Sequence, residues 1–138
     1  MFDELTKYKN QGHFFFQKGD SMAKQSKKVP NLPGVYYIFQ LARGRVELVF
    51  IGKSGTLLQD GDFNNHLLKT SLNSNRGGME NQAFFEQKIQ DEGIDALDIY
   101  WFVTFDKHHR DLPGFVEGVI MQHYFDVHGC LPPWNKEF

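Results

Sequence analysis

The chain has 138 residues, 41% hydrophobic and 23% charged, figures that fit one globular domain and exclude a disordered, collagenous or disulfide-stapled chain. Aromatic residues make up 15%, with 14 Phe among them, which predicts a sheet-rich core of flat rings. The formal charge of −2 conceals a gradient: residues 1–76 hold 11 Lys and Arg against 6 Asp and Glu, and residues 77–138 hold 4 against 11, which suits either a phosphate-facing first half or a plain solvated basic surface.

Residues 1–30 read as a polar N-terminal extension packed on the rest, its aromatic run His13-Phe14-Phe15-Phe16 docking on the domain. Asp20-Ser21 offers an N-cap for a short helix to Lys28, stopped by Pro30. Pro33-Gly34 opens a strand from Val35 to Gln40, and Ala42-Arg43-Gly44 turns it. A second strand returns from Val46 to Ile51 and ends abruptly at Gly52-Lys53-Ser54-Gly55. Past the polar loop Gln59-Asp60-Gly61-Asp62, Asn64 is placed to cap a helix that runs to Asn75 and breaks at Arg76-Gly77-Gly78. Residues 81–92 read as a second helix closed by Gly93. Leu97 to Phe105, rich in Ile, Trp, Val and Phe, reads as a central third strand. Pro113 suits the first position of a last helix to His128, with Gly129 as its stop and Pro132-Pro133-Trp134-Asn135 as an extended tail. This order predicts a single α+β domain over residues 1–138, a small three-stranded antiparallel sheet flanked by helices.

Four short pieces stand out within that frame: Gly34-Val35-Tyr36 on the first strand, Phe50-Ile51-Gly52 closing the second, Glu117 on the last helix, and the Pro132-to-Asn135 tail. In order and spacing they cover nearly the whole chain and resemble the GIY-YIG nuclease superfamily. The resemblance implies a GIY-YIG-like fold and a metal-dependent endonuclease hydrolysing DNA phosphodiester bonds, with double-stranded DNA as partner and one Mg2+ or Mn2+ ion as cofactor. It makes Glu117 the metal ligand, Tyr36 the residue that orients or deprotonates the attacking water, and Asn135 a supporting asparagine of the catalytic set.

The chemistry asks for groups of this kind. Hydrolysis needs an attacking water, a sink for charge on the phosphorane oxygens, and help for the leaving alkoxide. A phenol with an ordinary pKa near ~10 needs cationic neighbours to act, and Lys53, at the far end of the partner strand, is a candidate. A lone carboxylate can hold a hard divalent ion whose other ligands are water and phosphate. Read singly, Tyr36 is a core residue, Glu117 a solvated helix charge and Asn135 a cap. Only jointly do they point to a site.

Two positions depart from the family's pattern. Phe50 stands where the resemblance expects a second tyrosine. Ser71, within His66-Leu67-Leu68-Lys69-Thr70-Ser71-Leu72, stands where an LLK-x-R pattern puts the arginine that grips the scissile phosphate. Lys69 and Arg76 are candidate substitutes, although a lysine lacks the bidentate fork. Losing one such transition-state contact costs ~10²–10³ in rate, so reduced activity is expected. The alternative is a catalytically degenerate module of the same fold that binds nucleic acid or a protein partner.

On the last helix Val116, Val119, Ile120, His123 and Val127 form an apolar stripe that makes His123 a core histidine, with Glu117, Met121, Tyr124 and His128 on its flank. Gly52-Lys53-Ser54 is no phosphate-binding loop, because Glu47 stands where its first glycine belongs. There is no H-E-x-x-H and no cysteine pair for zinc, and Cys130 has no base beside it. A single cysteine, no apolar run near the ~20 residues of a membrane span, and acidic Asp3 and Glu4 in place of an apolar leader predict a cytoplasmic location away from membranes.

Overall fold

The computed structural model describes residues 2–76 and 79–138, with the backbone alone at residues 75, 76 and 79. Strict alternation along a long hairpin organises the sheet. β2 (Gly34–Ala42) sends Tyr36 and Ile38 to one face and Val35 and Tyr37 to the other. β3 (Arg45–Ser54) pairs with it antiparallel through a two-residue turn in which Arg43 and Gly44 take φ of 51° and 71°. The second strand does not stop at Ile51 as expected: Gly52, Lys53 and Ser54 continue the ladder opposite Tyr36, Val35 and Gly34. Glycine is needed there for space, since a Cβ on Gly52 would lie 2.6 Å from Phe50 Cε2 and 2.9 Å from Tyr36 Cζ.

Among the described residues the main sheet has four antiparallel strands, not three. The aromatic run of the N-terminal extension lies in β1 (Gln11–Phe16), which pairs with the later strand β6 (Ala96–Val103) and gives the order β1-β6-β2-β3. Its alternation is blurred by three consecutive Phe, so periodicity alone did not mark it as a strand. Tertiary pairing decides the matter: Phe16 is fully buried and Phe14 joins the same core, while Phe15 turns outward, 47% exposed.

The early helices are shorter than their caps suggested. Ser21 does cap α1, accepting from the Lys24 amide at 3.4 Å, but α1 covers only Met22–Gln25. Asn64 caps no helix; its Oδ1 accepts from the amides of Thr56 and His66, each at 3.2 Å, and so ties a loop. The helix expected from Asn64 is reduced to α2 (Leu68–Leu72). Two short strands follow, β4 (Asn75–Arg76) and β5 (Met79–Glu80), paired with each other. α3 (Asn81–Glu92) ends at Gly93 with φ 62°, and β6 (Ala96–Val103) runs internally between β1 and β2. α4 (Pro113–His128) ends at Gly129 with φ 71°. No helix of the described residues is long and apolar enough to cross a membrane.

Each face of the sheet carries its own core. Tyr36, Ile38, Leu97, Ile99 and Trp101 pack with Met22, Leu68, Leu72, Phe85, Ile89 and Trp134. Val35, Tyr37, Ile51 and Phe102 pack with Phe2, Leu5 and Tyr8 and with Val116, Ile120, Met121 and Tyr124 of α4. Burying one such side chain contributes ~1.5–3 kcal/mol, so Phe16 alone makes a strong anchor for β1. α4 is rotated from its expected stripe: Val119 and Val127 face solvent, and His123 is exposed, its Nδ1 3.2 Å from Glu4 Oε1. His123 is therefore not a core histidine. Both stripes share Val116 and Ile120, and spacing within the helix does not say which flank turns inward.

Candidate active-site cleft

The β3 edge of the sheet is where the four motif pieces meet. At the position of Val49 the strand bulges, so that Ile38 pairs with Phe50 while Phe39 pairs with Leu48. The tail beyond α4 runs along this edge and covers its backbone. The Trp134 amide donates to the Val49 carbonyl at 2.8 Å. Asn135 does more: its Oδ1 accepts from the Ile51 amide at 3.0 Å and its Nδ2 donates to the Ile51 carbonyl at 2.9 Å. One primary amide thereby satisfies both polar groups of an edge-strand residue, a task that only Asn or Gln performs with a single side chain. Asn135 accordingly works as a clamp on the edge strand.

Between this edge, the tail, α3 and α4 lies a cleft of about 700 Å³ lined by Tyr36, Phe50, Gly52, Lys53, Glu117 and Asn135, with Phe84 and Gln87 of α3 and residues 134–138 around them. The Tyr36 ring leans over Gly52, and its centroid stands 5.8 Å from that of Phe50. Tyr37 faces the opposite core, where burial lifts its phenol to about 12. Of the adjacent tyrosines, then, Tyr36 alone lines the cleft.

Glu117 reaches the cleft from α4 on the other side of the edge strand. It is half-buried, and loss of water around the carboxylate raises its pKa to about 6, against the opposing pull of the Lys53 ammonium. Lys53 lies against the start of α4, its Cδ 3.9 Å from where a Cβ on Gly114 would stand. Gly52 matters here as well: lacking a side chain, it leaves room for the Tyr36 ring on one face of the edge, while Lys53 and Glu117 stand on the other.

The remaining sequence candidates fall elsewhere. Lys69 on α2 donates to the Lys27 carbonyl at 3.0 Å and does not line the cleft. Ser71 lies on α2 too, its carbonyl accepting from Asn81 Nδ2 at 2.7 Å, and it is also absent from the lining. The backbone of Arg76 is in β4, and its side chain lies outside the described residues.

Phe84, Gln87, Lys136 and Glu137 also line the cleft, and no motif in the sequence marks them. For Lys136 and Glu137 the signal was adjacency to Asn135; for Phe84 and Gln87, one helical turn apart, no signal existed before α3 was placed. Trp134 closes the floor against Phe84 and Phe85, with ring centroids 5.9 and 6.2 Å away, and its Nε1 is buried without a hydrogen-bond partner among the described residues. Glu117 and Glu137 are the carboxylates of the lining, and the described residues contain no group of three or more His, Cys, Asp or Glu able to hold a metal ion. Comparison of the chain with family models, curated proteins and solved structures found no match.

Proposed function

We propose that the chain is a GIY-YIG-type endonuclease of reduced activity, hydrolysing phosphodiester bonds of double-stranded DNA in the cleft at the β3 edge. The observation that carries this reading is the convergence of Tyr36, Lys53 and Glu117, distant in sequence, on one cleft. Two supports accompany it: the glycine of the second motif makes the space that Tyr36 occupies, and the asparagine of the closing segment holds the strand that carries that motif.

The residues fit one hard divalent cation, Mg2+ or Mn2+. A half-buried carboxylate that resists ionisation gains from a cation beside it, and a single such ligand with water and phosphate is enough for Mg2+. Bound there, the ion supplies Lewis-acid polarisation of the scissile phosphate and charge stabilisation in the transition state. Tyr36 orients the attacking water through its phenol oxygen. Lys53 places positive charge beside the phosphate, which offsets the growing negative charge on its oxygens. Phe50 presents a ring where a hydroxyl would donate to the phosphate, so the cleft is one donor short, and Lys69 and Ser71 on α2 do not supply it. Asn135 acts through Ile51 by fixing the edge on which Gly52 and Lys53 lie.

Supercoiled plasmid incubated with Mg2+ or Mn2+ tests the reading, with Glu117→Ala and Tyr36→Phe as folded controls. Nicking by the wild type that both substitutions abolish supports it. Equal nicking by wild type and Glu117→Ala refutes it. A wild type that binds DNA but cuts nothing under either metal favours the degenerate binding module.

A further inference from the structure

One transverse row of the sheet reads Gly12, Trp101, Tyr36, Gly52. Its outer members are glycines and its inner ones large aromatics, for the same steric reason at both ends. A Cβ on Gly52 would lie 2.9 Å from Tyr36 Cζ, and a Cβ on Gly12 would lie 2.7 Å from Trp101 Cζ2. Tyr36 leans toward the cleft at the β3 edge. Trp101 leans toward a second groove at the opposite edge, between β1 and α1.

That groove, about 440 Å³, has Phe14 and Trp101 in its walls and the exposed Lys24, Lys27 and Lys28 around them, with no acidic residue in the lining. None of these three lysines is in an ion pair among the described residues. Lys69 brings a fourth cation to the rim, its Nζ on the Lys27 carbonyl. Three unneutralised ammonium groups within five residues repel one another, and a polyanion relieves that cost. A merely solvated lysine patch has no use for an aromatic floor. Trp101, 8% exposed, supports this floor from the core, and the half-buried Phe14 ring among the lysines matches a nucleic acid whose base faces are free, with a base on that ring and the phosphates on the lysines. A duplex hides those faces inside its stack.

We infer that the β1–α1 groove binds a single-stranded DNA segment flanking the duplex, as a second contact that holds the substrate whose duplex part is cut at the other edge. The inference rests on the reading of the chain as acting on DNA. Three inter-strand spacings of ~4.8 Å put the two edges about 14 Å apart, so one substrate molecule reaches both.

Fluorescence anisotropy in EDTA, which prevents cleavage, tests it with a labelled oligothymidylate and a blunt duplex of the same length. The oligothymidylate is expected to bind more tightly than the duplex. Lys24→Ala/Lys27→Ala/Lys28→Ala should weaken it at least about tenfold and reduce the slope of log K against log salt by about 2, the share of three phosphate contacts on a single strand. Phe14→Leu keeps an apolar side chain in the core and removes the stacking face, so a loss of about fivefold or more with an unchanged salt slope is expected. If Phe14→Leu melts early, the lysine variant, whose changes are all at exposed positions, decides alone.

Unchanged affinity of the triple variant overturns the inference. So does a preference for the duplex, or equally lysine-dependent binding to phosphatidylserine vesicles. The plasmid assay separates the two readings: lysine-dependent oligonucleotide binding without cleavage leaves the groove standing and removes the nuclease. Cleavage with an unaltered triple variant does the reverse.

Discussion

Glu117 should cost the folded state stability at neutral pH. Its ordinary pKa of 4.5 rises to about 6 on folding, because burial penalises the charged carboxylate more than Lys53 favours it. Between those values the native state binds more protons than the unfolded one, so this group's contribution is fully present below pH 4.5 and is lost as pH rises through about 6. At ~1.4 kcal/mol per pKa unit the penalty above that window is at most about 2 kcal/mol, and partial exposure reduces it toward 1. Glu117→Gln cannot ionise and keeps the shape. Above pH 7 it should therefore be more stable than wild type by about 1–2 kcal/mol, a rise of several degrees in Tm for a domain of this size. At pH 4, below both values, the two proteins should melt nearly together. Thermal unfolding followed by circular dichroism from pH 4 to 8 reads both, and adding Mg2+ or Mn2+ at pH 7.5 should raise the Tm of wild type only. A variant no more stable than wild type at pH 7.5 would refute the desolvated-carboxylate account, and a metal response retained by the variant would remove Glu117 as the ligand.

Three further outcomes are expected. Gly52→Ala puts a methyl within 3 Å of Tyr36 and Phe50, displacing the phenol; plasmid nicking should fall at least about tenfold, with circular dichroism showing the sheet retained. Asn135→Ala leaves the Ile51 amide and carbonyl without their clamp and should cost about 1–3 kcal/mol in a urea titration; Asn135→Gln, with the same groups on a longer arm, should recover part of that loss. Phe50→Tyr adds a donor to the cleft beside Tyr36, and nicking per folded molecule should rise about tenfold, the worth of ~1.4 kcal/mol, while Ser71→Arg on α2 should gain less because Ser71 does not line the cleft.

Much of this protein was legible in its residues one neighbourhood at a time. The hairpin over residues 34–54 follows from alternation and the Arg43-Gly44 turn, and α3 and α4 end where Gly93 and Gly129 take the left-handed conformation, because these signals act over a few residues. Tyr36, Phe50, Lys53, Glu117 and Asn135 were nameable for the same reason, as local motifs in a fixed order. What no local signal reported was decided by packing. β1 became a strand because β6 offered an unpaired edge and the core took Phe16, which outweighs the blurred pattern of a triple Phe. Asn64 became a loop tie, α4 turned Met121 and Tyr124 inward and His123 outward, and Lys69 and Ser71 landed away from the cleft. Each of these depends on which partner surface is present, a long-range fact with no period in the sequence. The meeting of Tyr36 with Glu117 across Gly52, and of Trp101 with three lysines across Gly12, belongs to the same class: sequence supplies the groups, and the register of the sheet brings them together.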